Sequence, residues 1–462
     1  MSLAAAFTPV ASDIPPLFKH QRETVAFHRG HPCVMNHSSP GTGKCRSYLE
    51  ALREHRDSSG GAALVLAPRT ILQSAWAADA ERFTPELKVA IATAENRREG
   101  LKPGADLYLT NHDAVRTLAK DPSMLPPGLD SFCVDESTAY AAMTSQRTRA
   151  ALKLLAPFEH RCCMTGTPMP NSLLQIFAQA LICDRGDRLG TSFWRFRDRV
   201  CHPEPVAPGS KFSHWVAKPG AAEWVADALR DITIQFRLED VLDLPPVVEY
   251  AQSFNLSPTH RAAYERLRAQ GLLLLKDRVI GAAHAAALRQ KLLQLLSGAV
   301  YDGEGSAETF STDRYRLVLD LVEARPASLV AFLWRHQRDA LVREAQRRGI
   351  THAVLDGSVP ARMRADIVQR FQNGELQALF AHPATASHGL TLTRGVATIW
   401  CSPPDSSEQF IQMNHRLHRA GQTKRVEVIR VVARHTLEER AYAQLGRKLD
   451  AQTALLDLLR YP

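Results

Sequence analysis

Short apolar runs, each closed by polar or turn-forming residues, recur along the first part of the chain: CVMN (33–36), ALVLAPR (63–69), KVAIAT (88–93), DLYLTN (106–111), SFCVDE (131–136) and RCCMTG (161–166). Runs of this length suit strands buried on both faces, and the helical patterns between them suit the layers covering a parallel sheet. The rhythm returns from about residue 314 with SLVAFLW (328–334), HAVLDG (352–357), QALFAHP (377–383), VATIWCS (396–402) and RVEVIRVV (425–432), separated by helices predicted over 338–349 and 361–373. The pattern therefore predicts an α/β chain of two lobes, 1–180 and 311–462. Between them, residues 181–310 lose the strand rhythm and read as helical insertions and an inter-lobe linker, with a turn at Pro245-Pro246 and a helix around Leu288 to Leu296. There is no internal repeat and no low-complexity tract, which excludes solenoids and disordered arrays.

At 462 residues the chain exceeds one ordinary core, in keeping with two lobes. No apolar run approaches the roughly 20 residues that span a bilayer, and the N-terminal stretch to Pro16 lacks the basic flank and apolar centre of a secretory signal. A cytoplasmic location is expected. The eight cysteines (33, 45, 133, 162, 163, 183, 201 and 401) show no zinc-ligand spacing and read as reduced, mostly buried residues. A formal charge of +9 would suit a polyanionic partner, although ordinary basic surface produces the same sum.

Candidate chemistry begins where CVMN runs into Ser38-Ser39-Pro40-Gly41-Thr42-Gly43-Lys44-Cys45 and then into a helical stretch. That strand, loop, helix order is the context of a phosphate-binding loop. Gly41 and Gly43 let backbone N–H groups turn toward phosphate oxygens, and Ser39, Thr42 and the start of the helix complete the cradle. Lys44 supplies a point charge to the β and γ phosphates of ATP. Two positions depart from the pattern. Ser38 stands at the usual first glycine, and Cys45 stands where Ser or Thr ligates Mg²⁺, a poor soft donor for a hard cation. Downstream, the apolar strand ending in Asp135-Glu136 supplies the matching acids: Asp135 as the Mg²⁺ ligand and Glu136 as the base that polarises water.

Further segments carry a resemblance. Thr165-Gly166-Thr167-Pro168 looks like motif III of Snf-type superfamily 2 helicases, a family of DNA translocases, and Gln412 to Gln422, with Arg416, Arg419, Gly421 and Gln422, matches their motif VI closely. Leu17 to Gln21 resembles the Q motif, Leu355-Asp356-Gly357-Ser358 with Arg364 and Phe371 resembles motif IV, and Ser387 to Leu392 resembles motif V. Ser137-Thr138 follow the acids where many members carry Ala-His. Residues 184–190 and 196–199 resemble the small phage-type members.

The resemblance implies two tandem RecA-like lobes, parallel sheets flanked by helices, that close on ATP. It implies that Gln21 reads adenine, that Gly389 and Gln412 face the nucleotide, and that Arg416 and Arg419, which sequence does not rank, act as arginine fingers. Thr165, Gly166 and Thr167 would couple the ATP site to the nucleic-acid track. Contacts with DNA, double-stranded and sequence-independent, are expected from Arg69, Thr110, Asn111, Asp356, Gly357 and Thr385. On a helix N-capped by Ser406, Gln412, Arg416 and Arg419 fall at i, i+4 and i+7 on one face. The six tryptophans read as core packing. The leading expectation is an ATPase that tracks on duplex DNA, with a recruiting protein as a second candidate partner. A strand-separating or annealing enzyme and a degenerate ATPase serving as a scaffold are the alternatives.

Overall fold

The computed structural model describes residues 14–205, 213–277, 282–301, 307–386 and 389–460. The stretch before Ile14, and Ser387 and His388 of the expected motif V, lie outside the described residues. The chain divides into two units, Met1–Asp243 with Leu449–Pro462, and Leu244–Lys448.

The first unit is built on a seven-stranded sheet. Its strands are β1 (Cys33–Asn36), β2 (Ala62–Ala67), β3 (Val89–Ala92), β4 (Leu107–Asn111), β5 (Leu129–Asp135), β6 (His160–Met164) and, after the antiparallel hairpin β7 (Cys201–Pro205) and β8 (Ser213–Ala217), β9 (Thr233–Ile234). The order is β3-β4-β2-β5-β6-β1-β9, and its strand pairs are parallel. Alternate residues of β2 enter separate apolar clusters, Leu64 and Leu66 in one, Ala63 and Val65 in the other. This is why the strand reads as an unbroken apolar run rather than an alternating one. Helices α1 (Lys19–Gly30) and α2 (Lys44–Ser59) flank the phosphate loop in sequence.

The second unit has a six-stranded sheet. It is formed by β10 (Val247–Phe254) and, after the small antiparallel pair β11 (Ala299–Tyr301) and β12 (Ala307–Thr309), by β13 (Ser328–Ala331), β14 (His352–Leu355), β15 (Ala378–Ala381), β16 (Ala397–Trp400) and β17 (Val426–Ala433). The order is β10-β17-β16-β13-β15-β14, again parallel. The RecA-like reading of both lobes follows from these two helix-flanked parallel sheets. A buried ion pair, Arg314 with Glu438, ties the helix Asp313–Glu323 to the start of the helix Leu437–Leu458.

The expected boundaries at 180 and 310 differ from the units. The segment 181–310 holds β9, which pairs with β1, and β10, which pairs with β17, so each sheet claims part of it. From Leu449 the chain returns to the first unit, where Leu455 and Leu459 enter the core. These strands escape a sequence reading for different reasons. β9 has two residues, and β10 is an edge strand whose exposed and half-buried positions alternate over most of its length. β7 carries prolines and lies outside the main sheet.

Candidate ATP site and nucleic-acid track

In the first unit, the order β5-β6-β1 sets three segments side by side, because Met164 pairs with both Asn36 and Asp135. The phosphate loop, the two acids and Thr165-Gly166-Thr167 all leave the sheet at the carboxyl ends of adjacent parallel strands, where α/β sheets place their ligands.

The loop geometry is written in its backbone. Gly41 and Gly43 have φ of 91° and 83°, left-handed values open to glycine, and a Cβ on Gly43 would stand 2.3 Å from the Gln21 side-chain nitrogen. His20 Nε2 and Gln21 Nε2 both bond the Thr42 carbonyl, at 2.8 and 3.2 Å. Burial lowers the His20 pKa, so the ring is a neutral donor. Gln21 Oε1 accepts the Phe18 N–H at the start of α1, so this side chain ties that helix end to the loop. Lys44 Nζ donates to the carbonyls of Ser38 (2.7 Å) and Ser39 (3.3 Å).

The serine at the first glycine position has a structural reason. Ser38 Oγ accepts the Phe236 N–H, while His37 and Ser39 donate their N–H groups to the carbonyls of Ile234 and Phe236. The loop is thereby laced to the segment continuing β9. His37 is fully buried; burial first, and the Lys44 charge second, hold it neutral with a pKa of about 3.

Asp135 accepts two hydrogen bonds, from Trp76 Nε1 to Oδ2 (2.9 Å) and from the Glu136 N–H to Oδ1 (3.0 Å). Burial and the neighbouring Glu136 push its pKa up to about 6. Glu136 takes a left-handed conformation, φ 51°, which costs a non-glycine residue about 1–3 kcal/mol and marks functional turns. Thr165 Oγ1 donates to Glu136 Oε2 at 3.3 Å, and a Cβ on Gly166 would lie 2.7 Å from Pro40 Cδ. The Thr-Gly-Thr segment therefore touches the acid on one side and the phosphate loop on the other.

Sequence reasoning missed two members of this set. Trp76, read as packing, is fully buried and donates to Asp135. Gln179, also fully buried, accepts the Ser137 hydroxyl at 2.6 Å and donates to the Pro168 carbonyl at 2.6 Å. This explains how a serine after the acids is accommodated: the Ser137-Gln179 pair links the acid strand to the Thr-Gly-Thr-Pro segment.

Mg²⁺ needs hard oxygen donors, and the Asp135 carboxylate fits. Cys45 does not. Its side chain packs against an apolar cluster, and burial, followed by the charges of Asp79 and Asp135, raises its pKa well above the usual thiol range. A thiol is a soft donor that fits Mg²⁺ poorly, so of the two expected metal ligands the Asp135 carboxylate is the one whose chemistry suits the ion.

In the second unit, Ser406 caps the helix Ser407–Asn414 by accepting the Gln409 N–H at 3.2 Å, as expected. That helix ends at Asn414, so the expected i, i+4, i+7 face does not form. Arg416 and Arg419 sit in the following turns and still converge, because both donate to the Leu390 carbonyl, at 3.3 and 3.0 Å. Gly389, φ 70°, immediately precedes that carbonyl. Arg416 is buried and also bonds the Gln412 carbonyl; the buried Gln412 Oε1 has no hydrogen-bond partner.

The residues expected on the nucleic-acid track are uneven. Arg69 is exposed and pairs with Glu95 at 2.8 Å. Asn111 ends β4 half-buried, and Thr385 is half-buried in the short helix Pro383–Ala386. Asp356 pairs with Arg338 and closes a turn on the Ser358 N–H, while a Cβ on Gly357 would meet nothing within 4 Å. Thr110 is fully buried and its hydroxyl donates to the Ala92 carbonyl at 2.6 Å, so its side chain is unavailable to DNA.

The SNF2-related domain matches residues 33–299, more than half of the chain, and the helicase conserved C-terminal domain matches 313–421. The chain belongs to the SNF2-related family. Its enzyme class is that of the family's helicase-type, nucleic-acid-stimulated ATP hydrolases, and its broad function that of an ATP-dependent DNA motor. Putative protein p41 of Acyrthosiphon pisum secondary endosymbiont phage 1 is 29% identical over 442 residues, covering 91% of this SNF2-related chain and 93% of that protein. Chromodomain-helicase-DNA-binding protein 1-like of Mus musculus is 23% identical over 458 residues, covering 93% of this chain and 48% of that protein. The chain thus spans about half of that larger relative. Among solved structures, the Sulfolobus solfataricus SWI2/SNF2 ATPase core in complex with dsDNA is 18% identical, with 96% of this chain and 93% of that one covered at a TM-score of 0.44.

Proposed function

We propose that this SNF2-related protein hydrolyses ATP and uses the cycle to track along double-stranded DNA without regard to sequence. The observation carrying the proposal is the convergence of the glycine loop, the two acids and Thr165-Gly166-Thr167 at the ends of adjacent strands. In this reading Lys44 exchanges the carbonyls of Ser38 and Ser39 for the β and γ phosphates. An ionised oxygen is the stronger acceptor. Asp135 would hold Mg²⁺, which supplies charge neutralisation on the phosphates. Glu136 takes up the proton of the attacking water, with Thr165 fixing its carboxylate. Arg416 and Arg419 leave the Leu390 carbonyl to offset charge on the transferring phosphoryl group. Gln21, whose side chain bonds the loop at the Thr42 carbonyl, would read adenine.

Arg69, Asn111, Asp356, Gly357 and Thr385 are the proposed track contacts, and Thr110 is dropped from that set. Phosphate contacts of this kind weaken steeply with salt. No helix among the described residues is long and apolar enough to cross a membrane.

The test is ATP turnover with blunt duplex, single-stranded DNA and RNA in parallel, beside triplex displacement. Duplex should stimulate most, and Lys44→Ala and Glu136→Gln should each lower turnover by at least about a hundredfold with duplex binding retained. Turnover surviving either change would sink the assignment. Strand separation without triplex displacement would favour the unwinding alternative.

A further inference from the structure

The hairpin β7–β8 and the helix Phe193–Val200 carry a feature that the ATP site does not use. Trp194 is 63% exposed, the largest exposure among the big apolar side chains reported as exposed, against the expectation of core packing. It does not stand alone. The Arg197 guanidinium lies over the Trp194 ring, 4.7 Å from its centroid, and over the Trp215 ring at 3.6 Å. Trp215 packs in turn on the core of the first unit. Asp198 accepts from Arg197 Nε (2.9 Å) and Nη2 (2.7 Å), which holds the guanidinium in place. The result is a ladder from core to solvent: Trp215, Arg197, Trp194. An indole backed by a pinned guanidinium loses little further freedom on binding, so its accessible surface is pre-organised for stacking.

The same helix carries two further cations. Arg195 and Arg199 are one helical turn apart and exposed, and neither has a carboxylate partner among the described residues. Arg199 rests over the Trp224 ring at 4.0 Å. The one acid on this helix, Asp198, is engaged by Arg197. An exposed flat ring on a helix that also carries two exposed arginines, without carboxylate partners among the described residues, matches a nucleotide whose base is free to stack and whose neighbouring phosphates take the cations. A paired base inside a duplex cannot present its face, so the ligand must be single-stranded or flipped out.

We propose that Trp194, supported by Arg197 and with Arg195 and Arg199 exposed on the same helix, is a second nucleic-acid contact that stacks on one unpaired base, as at a single-stranded overhang or junction. The proposal rests on the DNA-motor reading only for the class of polymer, and it adds a preference which that reading does not contain.

The test compares binding of a blunt hairpin duplex, the same duplex with a short single-stranded overhang, and the overhang duplex with abasic sites in the overhang. In the natural protein the overhang should raise affinity by about tenfold, the value of one base stack, and the abasic sites should remove that gain. Trp194→Ala should remove the same gain without a change in melting temperature, and the abasic substrate should show no further loss with that variant. Arg195→Ala with Arg199→Ala should lower overhang binding most at low salt. An overhang gain that survives Trp194→Ala overturns the proposal and leaves the patch to a protein partner. Equal losses on blunt and overhang substrates overturn it too. Failure of duplex-stimulated turnover in the natural protein would instead defeat the motor reading, and the overhang and abasic arms would still report on the stack.

Discussion

The phosphate loop of the first unit and the arginine turn of the second both keep their cations on backbone carbonyls, Lys44 on Ser38 and Ser39, Arg416 and Arg419 on Leu390. They are built differently. The loop's geometry is in its main chain: two left-handed glycines, a carbonyl held by His20 and Gln21, and lacing to the segment after β9. The arginine turn is bordered by two positive-φ glycines, Gly389 and Gly421, but its cations are set by where two long side chains reach. A charged donor on a neutral carbonyl contributes about 1.5–3 kcal/mol, enough to hold the side chain in place and little enough for a phosphate to displace it. The first region is therefore a preformed mould. The second is a pair of movable charges.

The largest effects should come from the second region, where function depends on side-chain shape. Arg416→Ala and Arg419→Ala should each lower kcat by about a thousandfold, as loss of an arginine finger does. Lysine at either position keeps the charge but loses the planar fork, so turnover should fall nearly as far. Melting temperature then separates the two positions. Arg416 is buried and Arg419 half-buried, so variants of Arg416 should lose more melting temperature than those of Arg419. Lysine variants that retain turnover within about tenfold of the natural protein would break the comparison, since charge alone would then suffice.

The first region should break through its backbone. Alanine at Gly43 meets both a left-handed φ and a Cβ position 2.3 Å from Gln21, so Gly43→Ala should weaken nucleotide binding by about a hundredfold, the order of 2–3 kcal/mol. Gly30 in α1 is the matched control: its φ is not positive and a Cβ there meets nothing within 4 Å, so Gly30→Ala should leave nucleotide affinity in place. Titration calorimetry with a slowly hydrolysed ATP analogue reads both. Unchanged affinity in Gly43→Ala would mean that the loop is not pre-shaped as described.

The same contrast explains what the sequence could show. Strands buried on both faces announce themselves as apolar runs, and the glycine loop lies within eight consecutive residues, so both were legible. The helix over motif VI was read too long because polar residues at helical spacing say nothing about where a helix stops; it ends at Asn414, whose side chain accepts the Trp400 N–H. Trp76 and Gln179 were invisible as site residues because their partners lie far along the chain, at Asp135 and Ser137, and no local pattern encodes such a contact. Trp194 and Trp76 are the same residue type in helical settings, one solvent-exposed and one bonded to a site carboxylate. Only tertiary placement tells them apart.

The smallest effect sharpens the comparison most, because it concerns a side chain in the region that depends least on side chains. Cys45 follows Lys44 at the start of α2, packs against apolar neighbours and stays protonated beside Asp79. If the loop works through its main chain and Asp135, the thiol contributes nothing to the metal, and Cys45→Thr adds a hard oxygen donor in nearly the same volume. Turnover should then be unchanged or rise by up to about threefold, with half-maximal activity at the same or lower Mg²⁺. Replacing Mg²⁺ by Cd²⁺, which prefers sulfur, should not favour the natural protein over the variant. A fall beyond about tenfold without a drop in melting temperature, or a Cd²⁺ preference that disappears with the thiol, would show that sulfur takes part at the metal. In that case the loop, too, depends on a side chain for its chemistry, and the contrast between the two regions narrows to their glycines.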